Sequence, residues 1–102
     1  MENHRHRHRE NFKFLFEAVM AISDAEICEK FLFDLFTMQE LEMLVQRLQV
    51  AKCFYEGEPT YKQVGEVVKV SSATICRVRQ AYNHGNGGFK MVFDNMKNNM
   101  RT

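Results

Sequence analysis

The side chains best suited to chemistry gather between residues 60 and 82, TYKQVGEVVKVSSATICRVRQAY. They are hydrogen-bonding and cationic rather than reactive. Ser71, Ser72 and Thr74 carry hydroxyls, and Lys62, Lys69, Arg77 and Arg79 stand against one acid, Glu66. Such a set grips phosphates and reads base edges. Residues 10–58 carry ten acids against four bases, so a whole-chain charge of +1 conceals a basic tip on an acidic body. Polyanions attract basic tips. No Cys/His pair, carboxylate pair or glycine-rich phosphate loop has a spacing that would bring reacting groups together, so the chain is not expected to be an enzyme. Cys28, Cys53 and Cys76 are odd in number and lack CxxC spacing. That argues against a disulfide framework and a zinc site and suits a reducing cytoplasm. No metal or other cofactor is expected.

The elements that must position these residues are two short helices joined by a tight turn, a helix-turn-helix. Val64, Val67 and Val68 fall on one side of the first helix, and Ile75, Val78 and Tyr82 on one side of the second. Two such short helices cannot bury these sides alone and need a scaffold. The spacing Thr60-x-x-Gln63 caps the first helix, and Ser71 is a natural N-cap for the second. Gly65 costs ~1 kcal/mol relative to alanine inside a helix. The expectation is that a second helix crosses there too closely to admit a Cβ.

The scaffold reads as all-α, in a single helical domain over residues 10–98. Residues 1–9, MENHRHRHR, form a basic arm expected to be disordered, either a solvated tail or a toucher of nucleic-acid phosphates. The interleaved arginines make His4, His6 and His8 poor metal ligands. A first helix is expected from Asn11 to Ile22, with Phe12, Leu15, Phe16 and Val19 in one stripe. Lys13 and Glu17 break the apolar run that would make it a signal peptide, and no stretch has the ~20 apolar residues of a membrane span. Ser23-x-x-Glu26 and Thr37-x-x-Glu40 read as capping boxes for the second and third helices. Gly57-Glu58-Pro59 ends the third helix, and Asn83–Gly88 separates the helix-turn-helix from a last helix with Phe89, Val92, Phe93 and Met96 in register. The first three helices are apolar on more than one side, which calls for more than one partner. A second copy of the chain is expected to supply it, in an intertwined homodimer in which folding and association are one process; the alternative is a compact monomer with a Phe-rich core.

With these segments in place the sequence resembles the Trp-repressor superfamily, and within it the small Trp-repressor-like proteins of the YerC/YecD group. The resemblance is carried by Asp34-Leu-Phe-Thr, Gln46-Arg-Leu-Gln-Val-Ala-Lys-Cys, Glu56-Gly, and Ser72-Ala-Thr-Ile-Cys-Arg-Val-Arg, over roughly Glu10 to Met96. It implies an intertwined helical homodimer with a helix-turn-helix on each side. It also implies that Tyr61, Lys62, Ser71, Ser72, Ala73, Thr74 and Cys76 face DNA. Arg79 joins them as a phosphate contact from its position alone. The tryptophan-binding repressor holds its ligand near a threonine and two arginines, matched here by Thr37, Arg47 and Arg77. That protein has a glycine after the second arginine; this chain has Val78, whose isopropyl group would crowd an indole ring. Lys69 stands where the turn generally favours glycine, and would be strained there if its φ were positive. Arg47 and Arg77 equally suit ion pairs with the acidic body. Cys76 suits a groove-facing residue, with a redox sensor activated by Arg77 and Arg79 as the alternative.

The expected function is a cytoplasmic, sequence-specific transcriptional regulator that binds double-stranded DNA as a homodimer. Tryptophan is not expected to control it, and the identity of any small-molecule effector is open. The alternative is a helical dimerisation or adaptor module without specific DNA binding, suggested by the acidic body and the departures at Lys69 and Val78.

Overall fold

The computed structural model describes the backbone of residues 2–100 and the side chains of residues 9–99. The expectations for His4, His6 and His8 therefore lie outside the described side chains. Among the described residues six helices follow one another, all-α as expected: α1 Glu2–Met20, α2 Ala25–Leu35, α3 Met38–Glu56, α4 Tyr61–Val67, α5 Ser72–His84 and α6 Gly88–Met100. The helix α1 begins ahead of Asn11, where apolar periodicity starts. Among the described residues, no helix is long and apolar enough to cross a membrane. The chain divides into two compact units, residues 1–38 and residues 39–102.

In the first unit, α2 is capped by Asp24, whose carboxylate accepts a hydrogen bond from Ile27 N–H at 2.9 Å. The expected cap, Ser23, is displaced by one residue. Either side chain could serve, and the ionised carboxylate makes the stronger bond to a helix N-terminus. Surface pairs at i, i+4, Lys30–Glu26 at 3.0 Å and Lys13–Glu17 at 3.8 Å, decorate these helices. None of the unit's described residues is buried. Phe14 is 80% exposed and Met20 82%, and Phe12, Leu15, Phe16 and Val19 are exposed along their stripe.

The second unit owns a core. Val50 and Ala51 from α3, Val64 from α4, Val68 at its end, Ile75 and Val78 from α5 and Phe93 from α6 are buried together. Aromatic rings extend it: Phe54 to Tyr82 at 6.4 Å, Tyr82 to Phe89 at 6.4 Å, Phe89 to Phe93 at 6.3 Å and Tyr55 to Phe93 at 5.3 Å between centroids. This chain of rings brings α6 back onto α3 and α5 through Phe89 and Phe93, while Val92 and Met96, in the same register, stay exposed. A hydrogen bond from Tyr55 Oη to Asp94 Oδ1 at 2.6 Å fastens the same contact. Its acceptor holds the phenol proton, so the Tyr55 pKa is raised by that bond and then by partial burial.

Two glycines depart from expectation. A Cβ built on Gly65 meets nothing within 4 Å, so no close helix crossing explains it. Gly57 follows α3 as read from sequence, yet Gly87 is the only described glycine with a positive φ, at 80°. The chain leaves α3 without the left-handed residue that often stops a helix.

Candidate nucleic-acid interface

Four residues set the start of α4. Thr60 accepts a hydrogen bond from Gln63 N–H at 3.2 Å, and the Gln63 side chain accepts one from Thr60 N–H at 2.9 Å. This reciprocal box is the one anticipated, and it aims the first residues of α4, Tyr61 and Lys62, outward; both are exposed. The inner side of α4 holds Val64 and Val68. Val67, expected beside them, is 74% exposed. The helix ends there and Val68 adopts extended backbone (φ −119°, ψ 121°), which breaks the 3.6-residue register on which the expectation rested.

Two backbone hydrogen bonds shape the turn. Val68 N–H donates to Val64 C=O at 2.8 Å, and Val70 N–H to Val68 C=O at 2.9 Å. The second bond closes a three-residue turn around Lys69. No described residue other than glycine has a positive φ, so this is an inverse γ-turn and Lys69 sits in it unstrained. The strain considered for Lys69 does not arise.

Ser71 then caps α5, accepting from Thr74 N–H at 3.2 Å, with its hydroxyl 3.1 Å from that of Thr74. Two of the hydroxyls expected at DNA are thus turned toward each other. Ser72, Ala73 and Cys76 are exposed, and Thr74 is half-buried. The opposite side of α5 sends Ile75 and Val78 into the core, 2% and 4% exposed. Helical geometry puts Ser72, Cys76 and Arg79 in one outward stripe at i, i+4 and i+7, spanning about 10 Å along the axis.

Arg79 is not a loose surface cation. Its guanidinium carbon lies 5.4 Å from the centroid of the Tyr61 ring, so α5 and α4 are joined through an Arg–Tyr stack at their outer edge. The separation of Tyr61 and Arg79 along the chain matches no helical or turn spacing, so their pairing has no local signature in the sequence. The two also wall a cleft of about 580 Å³ with Phe54, Pro59, Tyr82 and Asn83.

The residues matched to an effector pocket divide between the units. Thr37 precedes α3 in the first, while Arg47, Arg77 and Val78 lie in the second. Arg47 and Arg77 are exposed, on α3 and α5. Val78 is part of the core cluster, as its periodicity indicated. Among the described residues, no group of three or more His, Cys, Asp or Glu side chains could hold a metal ion.

Residues 10–97 match the family described as Trp repressor protein. The uncharacterised protein YerC of Bacillus subtilis (strain 168) is 39% identical over 83 residues, which is 81% of this chain and 79% of that one. A TrpR-like protein from Eubacterium eligens superposes with a TM-score of 0.78 at 34% identity, covering 86% of this chain and 90% of the other. A candidate Trp repressor from Staphylococcus aureus gives the same TM-score at 35% identity, covering 86% and 87%.

Proposed function

The chain belongs to the Trp repressor family, and from that premise we propose that it is a sequence-specific DNA-binding transcriptional regulator acting as a homodimer. The observation that carries this is the two-sided character of α5. One side is fixed in a core through Ile75 and Val78, and the other presents Ser72, Cys76 and Arg79 to solvent beside Lys62 and the Lys69 turn. A recognition helix needs that arrangement: rigidly backed, polar in front, and entered at its N-terminal end by base edges. In this reading Ser72 and Ala73 meet bases. Lys62 and Arg79 grip phosphates, and Tyr61, Ser71, Thr74 and Cys76 complete the surface. The chain performs no catalysis, and it works in the cytoplasm.

The second copy accounts for the first unit. Helices with no buried residue cannot repay their own ordering entropy. Two chains whose first helices interlock would bury Phe12, Phe14, Leu15 and Phe16, and residues 10–98 would then fold as one domain. Two-fold symmetry places half-sites about one helical turn, or a multiple, apart. Tryptophan does not act as corepressor, because Val78 occupies the room that an indole would require.

Selection of bound duplexes from a random pool, repeated over a range of salt, tests the proposal. Enrichment of an approximately palindromic sequence is the expected result. A pool that returns no preferred sequence at any salt overturns it, and sedimentation as a monomer overturns the dimer.

A further inference from the structure

The structure assigns Tyr61 a role through Arg79: we propose that Tyr61 is a positioning residue, whose ring holds the Arg79 guanidinium ready for a DNA phosphate, and not itself a reader of bases. The proposal rests on the helix-turn-helix being the DNA-binding surface and deepens that reading.

Three observations support it. The 5.4 Å stack is the contact the structure gives the Arg79 side chain, and no described carboxylate pairs with it. A guanidinium held over a ring face spends no N–H donor on that contact, so its donors stay free for phosphate oxygens. The turn that carries the ring is also set in place. Tyr61 is the first residue of α4 and lies within the capping box, between Thr60 and Gln63, whose two reciprocal hydrogen bonds close that turn around it. A guanidinium seven residues into α5 would otherwise be a long, freely rotating side chain, and immobilising such a group on binding costs affinity. The ring meets that cost in the free protein. The same stack spans α4 and α5, so the spacing between Lys62 on one helix and Arg79 on the other is set before DNA arrives.

The test uses the full chain and a fluorescein-labelled, mixed-sequence duplex, because a phosphate contact is indifferent to sequence. Anisotropy titrations over a range of salt compare wild type with Y61F, Y61L, R79A and Y61L/R79A. Y61F keeps the ring and binds like wild type. Y61L binds about two- to five-fold more weakly, the equivalent of an exposed cation–π contact. R79A lowers the salt slope by about one, and Y61L adds nothing further in the R79A background. Without DNA, the Arg79 Nε–Hε resonance is displaced upfield by the ring in wild type and Y61F and returns in Y61L. Equal losses from Y61L with and without Arg79 overturn the proposal while leaving the DNA reading intact. So does tight, salt-dependent binding by Y61L. A wild-type protein that binds no duplex, with the resonance still displaced, instead removes the DNA reading and this proposal together.

Discussion

Val78→Gly installs the small residue that the tryptophan-binding relative carries, at a position only 4% exposed inside the α5 helix. Two losses add. Removing a buried valine side chain forfeits ~1.5–3 kcal/mol of burial. Glycine is less favourable than valine in a helix interior by a few tenths of a kcal/mol. The expected destabilisation is therefore ~2–3.5 kcal/mol, with Val78→Ala at about half of that. At an m-value of ~2 kcal/mol/M, the urea midpoint falls by about 1–2 M. Circular dichroism of both proteins at one fixed concentration measures it, since association shifts apparent stability. A midpoint within ~0.3 M of wild type would refute the argument, because it would mean that Val78 packs against little. Calorimetry with L-tryptophan completes the experiment. Wild type gives no binding heat, and the glycine variant is where binding should appear if the isopropyl group is what excludes the indole. Micromolar binding by wild type would show that Val78 blocks nothing.

Gly65→Ala should stabilise the protein by ~0.5–1 kcal/mol in the same denaturation assay, since the new methyl meets open space in a helix. Tyr55 titrates in the alkaline range from a folded-state pKa above its ordinary 10.0. The stability it contributes is thus intact below about pH 10 and lost as pH rises through the raised value; Tyr55→Phe should flatten that branch of a melting-temperature profile. Lys62→Ala should weaken binding about equally across duplex sequences and lower the salt slope by about one, whereas Ser72→Ala should relax preference at one base position of the selected site.

The helices of the second unit were legible because their signals are local. Thr60, Gln63 and Ser71 cap where they must, and Ile75 and Val78 repeat at helical spacing, as their burial reflects. Val67 misled because periodicity presumes that the helix continues, and a backbone turning extended at Val68 ends the register. At α2, Ser23 and Asp24 are both competent caps, and one residue of difference lies below what pattern resolves. The glycine at 65 suggested a close crossing, but a missing side chain is equally compatible with empty space. The Tyr61–Arg79 stack and the Tyr55–Asp94 bond were out of reach, since both join residues whose approach depends on how whole helices pack.

The γ-turn at Lys69 has a consequence for how this family member can change. An elbow that demanded glycine would be closed to variation, because any side chain would carry a conformational penalty. Here the corner between the two motif helices accepts ordinary L-residues, so its electrical sign is adjustable at little cost to the fold. Acidic, neutral or longer cationic replacements could retune the grip on a polyanion by single steps, leaving the architecture behind it untouched.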